Sequence, residues 1–157
     1  MTTGPESVRA PGRLSVKRTA RSRAPVDAVW PLIGEARRWK EWTFLDRTEL
    51  LEEGDPAPDG TGALRRFTRF GVGSSERVLA WDPPRHLAYT VVKGFPVRNY
   101  RADVTCTPDG PGTLVSWSAT FDPLVPGTGP LMAFVLGRLL GGFATGAARH
   151  AELGRPG

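Results

Sequence analysis

The stretch that decides the fold is Arg23-Ala-Pro-Val-Asp-Ala-Val-Trp-Pro-Leu-Ile-Gly-Glu-Ala-Arg-Arg-Trp-Lys-Glu-Trp42. Pro25 suits a first helical turn, because its fixed φ and missing N–H cost nothing there. Val26, Val29, Trp30 and Ile33 then recur at helical spacing, and Gly34 closes the segment. Pro31 lies inside and removes the N–H bond toward Asp27, so the helix is expected to be short or bent. Glu35 to Trp39 gives a second turn or two, and Trp39 and Trp42, three apart, can share a face.

Immediately before this stretch, Leu14 to Ser22 alternates in the manner of a strand. After it the chain reads as strand upon strand. Phe44–Leu51, Ala63–Phe70, Ser74–Trp81, His86–Val92, Val97–Thr107 and Thr113–Phe121 all carry β-favouring or alternating residues. The segments between them are turn formers: 52–62, Gly71-Val-Gly73, Asp82-Pro-Pro-Arg85, Lys93-Gly-Phe-Pro96 and Pro108-Asp-Gly-Pro-Gly112. A hairpin closing at Gly71 to Gly73 would set Phe70 opposite Ser74 and Thr68 opposite Glu76. Arg66 is then a diagonal neighbour of Glu76 on one face, whereas a one-residue change of register puts Arg65 there instead.

A single helix closes the chain, from about Pro130 to Glu152. Wound at 100° per residue, Arg138, Thr145, Arg149 and Glu152 form a polar stripe. Met132, Leu136, Leu139, Leu140, Phe143 and Ala147 fall broadly opposite. Gly137, Gly141, Ala144 and Ala148 line one flank, and each glycine costs about 1 kcal/mol relative to alanine. Such repetition fits either close packing on a strand or a wall facing empty space. One strand, two short helices, six more strands and a long helix together predict a curved antiparallel sheet wrapped around that helix, with room between them. Among the aromatic and apolar residues available to line that space are Trp39, Trp42, Phe67, Phe70, Trp81, Tyr89, Tyr100, Trp117, Phe121, Leu136, Leu140 and Phe143.

Composition bounds what this space is for. At 157 residues the chain is expected to be one domain over 13–153, with short tails at 1–12 and 154–157. A net charge of +5 permits nucleic acid or an acidic membrane as partner, but the basic residues are scattered among acidic ones and no nucleic-acid motif accompanies them. Nucleic acid is therefore not expected as a partner. The polar first twenty residues do not read as a signal peptide, and Cys106 is the sole cysteine, which fits the cytoplasm. The apolar run Leu131–Ala148 contains Arg138 and four glycines and reads as a buried helix rather than a membrane span.

Chemical motifs are few. His86 starts a strand after a Pro-Pro turn and His150 lies near the end of the last helix. There is no Gly-x-Ser-x-Gly elbow, no metal-ligand spacing, and no phosphate- or dinucleotide-binding glycine loop, so neither metal nor cofactor is expected. Arg66 and Glu76 are expected to face solvent as an ordinary cross-strand pair; if their face is instead the inner one, Arg66 or Arg65 and Glu76 join Tyr100, which is expected to point inward, as the polar groups of the space.

The chain resembles the polyketide cyclase/dehydrase-like proteins of the START-like superfamily, which includes the pollen allergens. The resemblance rests on Ala-Pro-Val-Asp-Ala-Val-Trp-Pro-Leu-Ile and Arg-Trp-Lys-Glu-Trp in the opening stretch. It extends to Gly-Ala-Leu-Arg-Arg (62–66), Glu-Arg-Val-Leu-Ala-Trp-Asp-Pro-Pro-Arg-His-Leu-Ala-Tyr (76–89) and Gly-Thr-Leu-Val-Ser-Trp-Ser-Ala-Thr-Phe (112–121). It implies an α+β helix-grip fold: a seven-stranded antiparallel sheet around a long C-terminal helix, with a hydrophobic cavity between them. Binding of a hydrophobic or aromatic small molecule is the implied function. A polyketide aromatase/cyclase, with Arg66, Glu76 and Tyr100 as candidate catalytic residues, is one alternative. A lipid or quinone carrier that touches membranes is the other.

Overall fold

In the computed structural model, which describes residues 13–153, seven strands form one antiparallel sheet in the order β1-β7-β6-β5-β4-β3-β2. The expected tails, 1–12 and 154–157, lie outside the described residues. The strands are β1 (Leu14–Ser22), β2 (Arg47–Glu52), β3 (Leu64–Arg69), β4 (Val72–Asp82), β5 (His86–Lys93), β6 (Val97–Asp109) and β7 (Gly112–Pro123). Between β1 and β2 come α1 (Val26–Gly34), a 3₁₀ turn (Ala36–Arg38) and α2 (Trp39–Trp42), and α3 (Gly129–Leu153) closes the chain. This is the helix-grip arrangement.

The sequence dictates these elements locally. Pro25 stands at the N-cap of α1 in an extended conformation, and two of the helix's first free amides, those of Ala28 and Val29, bond to its carbonyl. Pro31 is accommodated without ending the helix until Glu35, whose N–H closes on the Pro31 carbonyl. In β7 the alternation is strict: Val115, Trp117, Ala119 and Phe121 are buried and face α3, while the residues between them are half-buried.

Helix α3 is long and apolar enough to cross a membrane by length and composition. Here it lies on the sheet, against β1 and β7, burying Leu136, Leu140, Phe143, Ala144, Ala147 and Ala148 while Arg138 and Arg149 face solvent. The glycines of α3 are in different situations. Gly137 and Gly141 lie against the Arg18 side chain of β1, with Arg18 Cγ 3.5 Å from where a Gly141 Cβ would stand, so packing accounts for them. Gly142 alone borders open space.

Two glycines of this helix therefore make opposite demands. A Cβ on Gly142 would meet nothing within 4 Å, whereas one on Gly146 would stand 2.7 Å from the carbonyl oxygen of Trp42. Gly142→Ala should stabilise the protein by about 1 kcal/mol through helix propensity. Gly146→Ala should destabilise it by roughly 1–3 kcal/mol, because α2 must move away. Urea unfolding midpoints of the two variants test this pair of opposite signs.

Candidate ligand-binding site

The β3–β4 hairpin fixes what faces inward. It turns at Phe70-Gly71, whose φ values are 51° and 79°, as a two-residue hairpin loop of the I′ kind requires. Arg69 then pairs with Val72, Phe67 with Ser74 and Arg65 with Glu76. The pairs expected from a Gly71–Gly73 turn are displaced by three residues. An odd displacement reverses the faces, so Arg65 points in and Arg66 is exposed. The expectation of Arg66 beside Glu76, both in solvent, is thereby corrected to Arg65 beside Glu76, both buried.

Arg65 is fully buried, and its Nη2 lies 3.6 Å from Glu76 Oε1, too long for a hydrogen bond. Its three guanidinium nitrogens and Glu76 Oε1 have no hydrogen-bond partner among the described residues. The Arg65 charge rests instead against ring faces, 5.2 Å from the centroids of Trp39 and Phe67 and 5.7 Å from that of Tyr89. Glu76 receives only a long bond, 3.4 Å, from the Ser74 hydroxyl. Burial pushes its carboxyl up to about 7, and the Arg65 charge and the Ser74 hydroxyl pull it back only in part.

Glu76 and Ser74 border a void of about 30 Å³ between sheet and α3, lined also by Tyr89 and Val91 of β5, Phe95 of the β5–β6 loop and Tyr100 of β6, and by Leu136, Leu139, Leu140 and Phe143 from the helix. Tyr100 reaches it through an irregularity. The β6–β7 ladder shifts register between Arg98 and Arg101, and Asn99 there has φ 51°. Tyr100 is consequently buried while Arg98 stays exposed. The Tyr89 hydroxyl accepts a bond from Trp117 Nε1 at 3.0 Å, and burial raises both tyrosines above the usual phenol range. The β5–β6 ladder ends at Tyr89–Ala102, so the sheet parts beside the void.

On the other side of Leu139 and Phe143 lies an open cleft of about 390 Å³, bordered also by Trp42, Thr43, Phe44, Val135, Arg138 and Gly142. Leu139 and Phe143 line both spaces.

Of the residues expected to line a cavity, Tyr89, Tyr100, Leu136, Leu140 and Phe143 border the void, and Trp42 and Phe143 the cleft. Trp39, Phe67, Trp117 and Phe121 are buried in the core behind them. Trp81 packs edge-on against Trp30, with ring centroids 5.4 Å apart, and borders neither space. Phe70 sits on the turn, 81% exposed, with the Arg69 guanidinium 4.7 Å over its ring, which removes it from any cavity. His86 is bound to Asp103 at 2.7 Å and His150 lies 3.5 Å from Glu41, both outside the site. Ser74, Phe44 and Gly142 belong to the site without having been singled out for it.

A family profile described as polyketide cyclase / dehydrase and lipid transport matches residues 13–152. The chain belongs to this family. Its fold is shared with a solution structure from Thermobifida fusca, 29% identical over 91% of this chain and 97% of that one, with a TM-score of 0.71. It is also shared with a START superfamily protein from Mycobacterium smegmatis, at 14% identity, 88% and 97% coverage and a TM-score of 0.75. Norcoclaurine synthase from Thalictrum flavum, solved in complex with dopamine and hydroxybenzaldehyde, matches at 12% identity, 100% and 96% coverage and a TM-score of 0.70. No curated protein matches the chain. Family and fold are consistent with binding of hydrophobic small molecules.

The raised Glu76 carboxyl has a consequence for folding. Below pH 4.5 it is protonated in the folded and unfolded chains alike, and its contribution to stability is at its fullest. As pH climbs toward about 7 only the unfolded chain gives up the proton, so stability falls, by up to about 3 kcal/mol, and then levels off. Glu76→Gln should abolish this fall. Urea unfolding of both proteins at pH 5 and pH 8 measures it.

Proposed function

We propose that the protein binds an apolar small molecule whose body occupies the cleft between α3 and the Trp42–Phe44 segment and whose polar end reaches the void beside Glu76. The observation that carries this reading is that two side chains, Leu139 and Phe143, line both spaces, which are therefore neighbours. A rotation of Phe143 would join them, and rotamer changes of this size are common on binding. The void alone is too small for a ligand, at about the volume of one water molecule. The cleft alone lacks buried polar groups to fix an orientation. Together they have the composition of a small-molecule site. In this reading 13–153 is one ligand-binding domain, housed in the cytoplasm.

A carrier reading has its own support. Phe44, Leu131, Phe134 and Val135, between 37% and 64% exposed, lie on or beside the rim of the cleft, as a surface that delivers lipid to a bilayer would require. The cyclase reading is favoured by Glu76, which changes charge near neutral pH and so suits proton transfer at a carbon beside a carbonyl.

Gly142 offers a test that spares the core. Its position is exposed and a side chain there projects into open space, so Gly142→Leu should fill the cleft without loss of stability. Titration with the neutral fluorophore N-phenyl-1-naphthylamine should show binding to the wild type and at least tenfold weaker binding to Gly142→Leu, at a melting temperature no lower than the wild type's. Equal affinity for both proteins would remove the cleft from the site.

A further inference from the structure

We infer that the face of the sheet turned away from α3 carries a second binding site, a groove across β2 to β5 that takes an organic anion with an apolar body, its acid head held between Arg66 and Lys93 over Ser75. This site is separate from the cleft and the void and does not depend on them.

The groove, of about 330 Å³, has a polar row and an apolar margin. The row follows from register: Arg66 of β3 pairs with Ser75 of β4, which pairs in turn with Lys93 of β5. Three neighbouring strands thus hold a cation, a hydroxyl and a cation side by side. The outer two strands of such a trio lie roughly 10 Å apart, so both long side chains reach the space over the hydroxyl. The apolar margin comes from two β-bulges. Leu51 is the extra residue where β2 pairs Leu50 with Arg65 and Glu52 with Leu64. Val92 is the extra one where β5 pairs Val91 with Glu76 and Lys93 with Ser75. Val92 and Lys93, neighbours in sequence, therefore both line the groove, where strict alternation would turn one of them to the other face. Leu51 and Val92, each about half exposed, and Leu64 set an apolar surface beside the charges. The β4–β5 end of the groove is bare. A Cβ on Gly94 would stand 2.2 Å from the Gly73 carbonyl oxygen, so no side chain fills it.

The two cations serve no carboxylate of the chain. Glu49, across from Arg66 on β2, pairs with Arg47 at 3.4 Å, and Glu52 pairs with Arg77 at 3.2 Å. Arg66 and Lys93 are left without an ion pair among the described residues. Ser74 spends its hydroxyl on Glu76 inside the sheet, whereas Ser75 faces the groove and bonds to no described residue. Two like charges beside a free hydroxyl repel each other until an anion joins them. Guanidinium, ammonium and hydroxyl can all donate to its oxygens, and charge-assisted bonds of this kind are the strong ones. The margin of Leu51, Leu64 and Val92 offers nothing to a bare inorganic anion and a contact surface to one with a hydrocarbon body.

Three probes separate head from body: 2-naphthoate has both, 2-naphthalenemethanol the body alone, and inorganic phosphate the head alone. In nitrogen-15 spectra of the protein, naphthoate should shift the amides of Gly73, Ser75 and Gly94 saturably, and the other two should bind there roughly tenfold more weakly or worse. Arg66→Gln and Lys93→Gln should each weaken naphthoate by roughly three- to fivefold, and salt at about 0.5 M should weaken it in the wild type. Both positions are exposed, so the melting temperatures of these variants should match the wild type's. Val92→Glu, which adds a like charge and removes apolar surface, should abolish binding in the groove. Naphthoate shifts at Thr43 and Gly142 with none at Gly73, Ser75 and Gly94 would put the anion in the cleft and overturn the second site. Equal binding of the neutral probe, or an affinity indifferent to both glutamine substitutions, would overturn it as well. So would a dimer in sedimentation velocity that Arg66→Gln dissolves, since the groove would then belong to a second copy of the chain.

Discussion

Sheet, short helices and long helix meet on one indole. The Trp39 ring stacks on Phe67 of β3 with centroids 4.4 Å apart, and meets Tyr89 of β5, Trp117 of β7 and Phe143 of α3 edge-on at 5.5 to 6.3 Å. Its Nε1 donates to the Ile33 carbonyl at 2.8 Å, tying the end of α1 into the same knot. Each such ring pair is worth about 0.5–1.5 kcal/mol beyond the area it buries. Two more buried bonds hold the segment from the 3₁₀ turn through α2: the Ala36 N–H donates to Asp59 Oδ1 at 3.2 Å, and Trp42 Nε1 donates to the Leu32 carbonyl at 2.9 Å. Trp39 thus positions Trp42, Thr43 and Phe44, and through them the near edge of the cleft.

The same ring cluster explains how an arginine survives at zero exposure. Removing a guanidinium from water costs several kcal/mol, and one carboxyl at 3.6 Å with no hydrogen bond does not repay it. Ring faces on three sides supply part of the difference. The remainder is a burden that a protein selected for stability alone would lose by placing aliphatic residues at 65 and 76. Perturbed ionisable groups concentrate where function requires them, and no other buried carboxyl in the described residues is raised in this way.

Much of the fold was legible because its signals are local. The β1 limits, the α1 start at Pro25 and the inward face of β7 all follow from spacing and turn chemistry that neighbouring residues decide among themselves. The site was less legible because two of its determinants are exceptions to local rules. Gly71 and Gly73 drew the expected turn onto themselves, yet Phe70 takes the left-handed position that phenylalanine seldom adopts. Gly73 is glycine for another reason: a Cβ there would overlap the Phe67 carbonyl across the hairpin. Asn99 likewise breaks the alternation that would otherwise set Arg98 and Tyr100 on one face. That Leu139 and Phe143 line both spaces depends on how far α3 stands from the strands, which no periodicity encodes.

The two-residue turn at Phe70-Gly71 also makes the inner chemistry a matter of parity. Arg65 and Arg66 are adjacent, and the count of residues in the turn decides which of them enters the core and which meets water. A relative with one residue more or fewer at that tip would keep every side chain needed for the site in its sequence and still present a different lining, with Leu64, Arg66 and Thr68 turned inward. Alignments of such relatives should therefore be read through the hairpin's length before an arginine in one is equated with an arginine in another. A single indel at an exposed tip can respecify the cavity without touching it.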